Sequence, residues 1–396
     1  MTPLRLSSLT VTSAMGNGLE ASWRALRDGR SALAPCTFEQ LPIGAWTGEI
    51  QGLDVPLTDT FSTFDCRNNR LAERALSVDG FEQDVAKAIE RYGAHRVGLF
   101  TGTSTSGILQ TEQAYHLLDH QTGALPAGFA YAETHNTYAL GRFLRTRLGL
   151  RGPSFTLSTA CAATAKLFAV AQRMIEAGLC DAAAIGGADS FCGTTLFGFH
   201  ALGVMAEGPC RPFDSARSGI SIGEAAGFAL LERLPETSDP NGLLLLGTGE
   251  SSDAHHMSSP DPEAAGAVMA MRQALAEAGL EPDDIDYVHL HGTATLAGDA
   301  AEDKAVTEVF GLTKARSSTK GFTGHTLGAA GMVSAAVAAL AIRHNFLPGS
   351  LHTRTLDPTC APGHVLVGRR APVRRVMCNA FGFGGVNCSF ILGVHG

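Results

Sequence analysis

The chain is expected to fold as two α/β units joined by a single linker. Three observations lead there. Short runs of β-branched and apolar residues alternate with stretches of helical periodicity. The alternation stops at Pro235-Glu236-Thr237-Ser238-Asp239-Pro240-Asn241-Gly242, a run dense in turn-forming residues, and restarts beyond it. Finally, 396 residues that are 45% hydrophobic and only 17% charged can bury a large core, with surface left to bury between halves or subunits. The division places one unit over residues 1–236 and a second over 241–396.

In order along the chain, residues 4–12 read as a first strand and Gly16-Asn17-Gly18 as a turn. Leu19 to Gly29 reads as a helix with Trp23 and Leu26 inward. Residues 35–75 show mixed turn chemistry and no long period. Residues 82–92 form an amphipathic helix, and Val97 to Thr103 a buried strand. Ser104-Thr105-Ser106-Gly107 then opens a helix near Leu109. Residues 137–149 are helical. The stretch Ser154 to Cys161 reads as a short buried strand, opened by Gly152-Pro153, and the helix after it carries Leu167, Val170, Met174 and Ile175. A strand at 182–187, a Phe- and Gly-rich loop at 191–203 and a strand at 228–232 complete the first unit. The second unit reads as strand 243–249, helix 263–279, strand 287–290, helix 298–310, an apolar helix over 326–345 and a strand-rich tail over 376–393. Thr326 to Ile342 carries no charge and approaches the ~18 residues that raise the question of a membrane span. Its Ala, Gly, Val and Ser content, with Leu only at 327 and 340, fits a helix buried inside a protein. No identity between the two halves is visible, so a structural repeat is no more than a guess from the sequence.

Composition excludes several classes of function. A net charge of −8, with no Lys/Arg run of five or more, argues against general nucleic-acid binding. The nine cysteines (36, 66, 161, 180, 192, 210, 360, 378 and 388) contain no C-x-x-C pair, so neither a zinc ribbon nor a thioredoxin-like motif is available. Met1-Thr2-Pro3-Leu4-Arg5 lacks the apolar segment of a secretory signal, and free thiols in a reducing cytoplasm fit best.

Cys161 falls where a strand turns into a helix. That position lowers a thiol pKa from about 8.5 and aims backbone donors at any oxyanion formed there. A small buried core cysteine is the commoner fate in so Ala-rich a segment. Three polar, glycine-rich stretches in the second half bear on the choice: His289-Leu290-His291-Gly292-Thr293-Ala294-Thr295, Ser317 to Gly331, and Asn379-Ala380-Phe381-Gly382-Phe383-Gly384-Gly385-Val386-Asn387. Loops at strand ends are where α/β folds place their sites. His291 and His325 sit among glycines that leave room for a ligand beside each ring. The apolar helix after His325 would keep that imidazole neutral. Lys320 fits a solvated surface residue or a buried ion-pair partner equally well. The Phe381-to-Gly385 stretch fits a plain hairpin or a turn presenting an N–H to an oxyanion.

Together these segments resemble the elongating β-ketoacyl-acyl-carrier-protein synthases, condensing enzymes of the thiolase superfamily. The matching pieces are Gly152-Pro153-Ser154…Thr159-Ala160-Cys161-Ala162, His291 to Thr295, Lys320 to Gly331, and Asn379 to Asn387. Val11-Thr12…Met15-Gly16-Asn17, Pro212-Phe213-Asp214, Gly223 to Gly227 and Asp253 to Met257 support them. The resemblance implies the thiolase fold: two related βαβαβαββ halves in a five-layered α-β-α-β-α sandwich, normally dimeric. It implies decarboxylative condensation of an acyl thioester with malonyl-acyl-carrier protein, in fatty acid, polyketide or aryl-polyene-type synthesis. Cys161 is implied as the nucleophile, with His291 and His325 facing the malonyl carbonyl. Lys320 is implied to support the histidines, with Glu302 as its ion partner. Cys161 and Phe383 would form the oxyanion hole. Thr293, Thr295, Phe383, Phe199 and Thr105 would contact substrate, Phe383 also as a mobile gate. Arg67, Arg70, Arg142 and Arg145 are expected to dock an acidic carrier protein. The family needs no metal and no resident cofactor; the 4′-phosphopantetheine arm arrives on the carrier protein. The expected partner subunit is a second copy or a chain-length-factor subunit.

Departures from the pattern are mild. Ala380 stands where Ser is usual and Val386 where Thr is usual, and neither removes a catalytic group. Small polar Thr105 and Ser106, matched to the acyl tunnel and dimer interface, point toward an unusual chain, conjugated or aryl-capped. A thiolase or an initiating synthase would carry one His plus Asn or a second Cys in place of His325 and Lys320. A non-catalytic chain-length factor would lack Cys161.

Overall fold

The computed structural model describes residues 2–234 and 242–395; Pro235 to Asn241 of the expected linker lie outside the described residues. Ten strands form one continuous path. In the first half these are β1 (Leu4–Ser13), β2 (Val97–Gly102), β3 (Ser154–Leu157), β4 (Ala182–Asp189) and β5 (Ala225–Arg233). In the second they are β6 (Leu244–Ser252), β7 (Tyr287–His289), β8 (Arg316–Ser317), β9 (Arg375–Gly382) and β10 (Val386–Gly393). The order is β8-β7-β9-β10-β6-β1-β5-β4-β2-β3. Read outward from the centre, each half runs first, fifth, fourth, second, third. The pairing sense matches as well: antiparallel twice, then parallel twice. The halves meet through a short antiparallel contact, Leu4 opposite Leu245 and Arg5 opposite Leu244. The repeat invisible in sequence is plain in the topology.

Helices fill three layers. α1 (Gly18–Asp28), α2 (Arg67–Leu76), α3 (Phe81–Tyr92), α4 (Ile108–His116), α5 (Ala139–Arg147), α6 (Ala163–Glu176) and α7 (Gly193–Ala201) belong to the first half. α8 (Ala265–Ala278), α9 (Leu296–Phe310) and α10 (Ala330–His344) belong to the second. α6 packs on β2 and β4 of its own half and on β6 and β10 of the other. α10 does the reverse, against β9 and β10 and against β1 and β5. α2, α3 and α5 cover the outer face of the first sheet, and α8 and α9 that of the second. The five-layered α-β-α-β-α sandwich is therefore present.

Two-sided burial explains the sequence of these strands. In β5, Ala225, Ala229 and Leu231 face the central helices while Ala226, Phe228 and Leu230 face the outer ones. Covered on both sides, the strand reads as a continuous apolar run without polar alternation. α10 is buried from Ala330 through Ile342, and the 18-residue stretch Leu327–His344 is 89% buried. It is the one described helix long and apolar enough to cross a membrane, and here it is a core helix. Close crossing of α10 and α6 requires Gly331, where a Cβ would lie 2.3 Å from the Ala165 backbone nitrogen.

Two segments depart from expectation. Residues 67–76, expected to lack a long period, form α2, whose basic and polar residues conceal a buried face of Leu71, Ala72, Ala75 and Leu76. Residues 193–201, expected as loop, form α7. Glu112 caps its open end by accepting from the Gly193 and Thr194 N–H groups at 2.9 and 2.6 Å.

Candidate active site

The nucleophile, both histidines, the lysine and Phe383 all follow the C-terminal end of a strand, where open α/β sheets collect ligands, while Glu302 reaches in from α9. β3 delivers Cys161, β7 His291, β8 Lys320 and His325, and β9 Phe383. Ala160 adopts φ +47°, and a single 3-10 turn from Ala160 to Ala162 leads into α6. That strained backbone just ahead of the thiol turns the Cys161 side chain off the strand axis. His291 follows β7 and is fixed by Gly292 at φ +38°, where a Cβ would lie 2.5 Å from that of Ser318. Gly384 and Gly385, at φ +85° and +78°, make the sharp turn that exposes Phe383.

The structure brings together Cys161, His291, His325, Lys320, Glu302 and Phe383. His325 Nε2 lies 2.9 Å from Cys161 Sγ, and the two imidazole rings stand edge to face at 5.2 Å. The sulfur and one nitrogen from each ring fall within 4.8 Å of one another. The backbone N–H groups of Phe383 and of Cys161 itself are turned toward the sulfur, so both implied oxyanion donors bear on the reacting atom. Among the described residues, none bonds His325 Nδ1.

Electrostatics follow from burial. The Cys161 thiol, expected to be acidified, is instead pushed up to about 11 by burial; the Lys320 charge and the Phe383 N–H pull it partway back. Enclosure by apolar neighbours outweighs the helix N-terminus. Burial, and then the Lys320 charge, hold His291 and His325 well below the usual imidazole range, so both rings are neutral at pH 7. Neutral imidazole beside a protonated thiol is the resting state.

Glu302 departs from its expected role. Its carboxylate accepts from the His291 and Gly292 N–H groups at 2.7 and 2.6 Å, and from Asn379 at 3.3 Å. No ion pair among the described residues joins it to Lys320. The Lys320 ammonium donates to the His291 carbonyl and lies 3.5 Å from Nδ1 of the same residue. Carboxylate and ammonium thus grip the two sides of one turn. Burial draws Lys320 down and Glu302 up, and each opposes the shift of the other through its charge.

A cavity of about 270 Å³ opens onto the thiol, lined by Phe199, His291, Thr293, Thr295, His325 and Phe383 among others. The Phe199 and Phe383 rings meet at 5.8 Å across it, and the Thr293 and Thr295 hydroxyls are 3.0 Å apart. Thr105 does not line it: the residue is buried, and its hydroxyl and N–H both donate to Asp189. Arg67 is not a docking residue either. Its side chain is 9% exposed and closed on Glu224 at 2.7 Å, because Glu224 also needs the Ile50 and Phe191 N–H groups to be buried. Arg70 pairs with Asp65. Arg142 and Arg145 remain on the surface, Arg142 beside Glu133 at 3.1 Å. A second cluster, Asp303, Cys360 and His364, also lies within 4.8 Å, but Asp303 is already committed to Arg316, His364 and the Ala361 N–H.

Sequence reasoning passed over Asp189 and His289. Asp189 ends an otherwise apolar strand, and that isolation was the available signal. His289 bonds Thr319 at 2.9 Å and is driven down to about 3 by burial and by Lys320.

Comparison with known proteins places the whole chain in one family. Residues 6–237 match the model for the beta-ketoacyl synthase N-terminal domain, and residues 244–354 that for its C-terminal domain. The chain is 32% identical to 3-oxoacyl-[acyl-carrier-protein] synthase 2 of Coxiella burnetii, over 98% of this chain and 97% of that one. Among solved structures, the ketosynthase ApeO in complex with its chain length factor ApeC, from Xenorhabdus doucetiae, superposes with a TM-score of 0.91 at 36% identity, covering 99% of this chain and 98% of that one. The ishigamide ketosynthase/chain length factor superposes with a TM-score of 0.89 at 29% identity, covering all of both chains.

Proposed function

The chain belongs to the β-ketoacyl synthase family of thiolase-fold condensing enzymes, and from that premise we propose how its residues divide the reaction. Cys161 takes an acyl chain from a carrier-protein thioester. His325 Nε2, 2.9 Å away, accepts the thiol proton as sulfur attacks the carbonyl, and returns it to the departing pantetheine thiolate. The tetrahedral oxyanion between lies against the N–H groups of Cys161 and Phe383. Malonyl thioester then occupies the same cavity with its carbonyl oxygen toward His291 and His325. Loss of CO2 leaves an enolate; His325, its proton moved by solvent exchange from Nδ1 to Nε2, and His291 then present two neutral N–H donors that stabilise it without a proton being transferred to carbon. The enolate carbon attacks the acyl-Cys161 carbonyl, the sulfur leaves as thiolate and takes up one proton from solvent to restore the resting thiol, and a 3-oxoacyl thioester departs on the carrier protein. Glu302 and Lys320 hold the His291 turn through all three steps.

The observation that carries this reading is one thiol and two neutral imidazoles at a cavity wide enough for a slender thioester arm, with Thr293 and Thr295 at its side. The 4′-phosphopantetheine arm enters there, and Arg142 and Arg145 meet the acidic carrier protein. A second reading concerns assembly. The likeness to ApeO, which is paired with a chain length factor, favours this chain as the active half of a heterodimer over a homodimer. Mass spectrometry of Cys161 after incubation with a panel of acyl carrier proteins, with and without a neighbouring synthase-like subunit, tests both. No acyl adduct from any carrier overturns the first reading; full acylation and condensation by the chain alone overturns the second.

A further inference from the structure

The matched halves allow residues to be equated across the molecule. α6 and α10 occupy corresponding places, each after the third strand of its half, and each is preceded by a single 3-10 turn. Those turns begin at Ala160 (φ +47°) and Leu327 (φ +51°), so Cys161 corresponds to Gly328. The flanking residues agree: Thr159 with Thr326, Ala162 with Ala329, Ala163 with Ala330. The fourth strands, β4 and β9, are both eight residues long, which equates Asp189 with Gly382.

At the reactive turn, Gly382 presents no side chain, and a Cβ there would lie 3.4 Å from the Cys161 nitrogen. The Cys161 N–H is thereby left open for an oxyanion. At the corresponding turn of the second half the place is filled: Asp189 Oδ2 accepts from the Gly328 N–H at 2.5 Å. Its other oxygen, Oδ1, accepts at 2.8–2.9 Å from the Thr103 hydroxyl, the Ser104 and Thr105 N–H groups and the Thr105 hydroxyl. Ser104 in turn donates to the Ala160 carbonyl at 3.3 Å. One buried carboxylate therefore links the turn three residues past His325 to the turn that carries Cys161.

We propose that Asp189 is a positioning residue for the reaction at Cys161: its carboxylate occupies the second half's counterpart of the oxyanion hole and so fixes His325 over the thiol. The inference rests on the division of labour proposed above, but its test does not require condensation.

Asp189→Asn isolates the contact. The amide oxygen keeps the four donors on Oδ1, and the NH2 group is turned onto the Gly328 N–H, donor against donor. The rate of Cys161 alkylation by iodoacetamide is followed by mass spectrometry across pH, beside the thermal transition. Alkylation is expected to slow by about tenfold at pH 8, the worth of roughly one charge-assisted hydrogen bond, with its pH midpoint displaced upward as the thiol loses its proton acceptor. A merely structural role would lower the thermal transition and leave the midpoint in place. Gly328→Ala attacks the same contact from the other side, since its Cβ would lie 2.8 Å from Asp189 Oδ2. If Asp189→Asn does not fold, Gly328→Ala decides. An unchanged rate and midpoint in a folded variant overturns the proposal. Failure of wild-type Cys161 to accept any acyl chain would instead overturn the function itself.

Discussion

Replacing Gly382 by alanine separates two steps that share one cavity. The residue does not adopt a left-handed backbone, so alanine is conformationally allowed. Its methyl group would lie 3.2 Å from the Thr159 carbonyl oxygen, 3.3 Å from the Ala162 nitrogen and 3.4 Å from the Cys161 nitrogen. Neighbours can yield by the few tenths of an ångström this demands, so the fold is retained. The methyl, however, stands where the oxyanion must approach the Cys161 N–H. Loss of one such donor costs about 2.7–4 kcal/mol, or roughly 10²–10³-fold in rate. The enolate formed from malonyl is held by His291 and His325 and does not use that N–H. Single-turnover acylation of Cys161 from an acyl carrier protein should fall by about 10²-fold or more, while CO2 release from malonyl thioester stays within a few-fold of wild type. Acylation that survives, or both steps falling together, would refute the placement of the oxyanion.

Four further outcomes follow. Cys161→Ala should abolish acyl transfer while decarboxylation persists, read by adduct mass and CO2 release; condensation by the alanine variant would sink the assignment. Lys320→Met removes the charge that pulls the buried thiol down from a still higher pKa, so the pH midpoint of Cys161 alkylation should rise and the rate at any fixed pH below it should fall. Arg67→Ala should destabilise the protein by about 3–5 kcal/mol in denaturant unfolding, because Glu224 is left buried without its cation, with carrier-protein affinity unchanged in whatever remains folded. Charge reversal at Arg142 and Arg145 should weaken carrier binding at low salt and make less difference at high salt, measured by titration; unchanged low-salt affinity would remove these residues from the docking surface.

Much of the site was legible because its residues fall in four short ordered motifs. On the residues alone a cysteine at a strand-to-helix junction and histidines among glycines left a buried-core reading open, and it was the four ordered motifs, through their resemblance to one family, that singled them out. What each charge does was not legible. Glu302 carries the composition of an ion-pair partner, but eleven residues of separation from His291 close into two backbone hydrogen bonds only once α9 folds back on β7. The direction of the Cys161 shift was misjudged for a related reason: a helix N-terminus shows in sequence, whereas enclosure by another half of the chain does not. Arg67 read as surface charge because nothing near it in sequence announces Glu224, which lies 157 residues away. The repeat was a guess from the residues and was implied only by the resemblance, since the two halves share little more than composition, and Thr-x-x-Ala-Ala at the two turns marks their equivalence.

The placement of α10 has a consequence for how the chain is made. Its helix lies between sheets drawn from both halves, yet it is encoded after residue 326. During synthesis the entire first half leaves the ribosome with the inner faces of β1 and β5 only partly covered, by α1 and α6. Ala225, Ala229, Leu231 and Val11 complete their burial only with the residues of that helix in the same cluster. The halves are therefore partners in one folding event, and the first is an aggregation-prone intermediate for as long as translation of the second takes. Slowing translation beyond the linker should cost soluble yield, and supplying the second half as a separate polypeptide should recover it only when both are produced together.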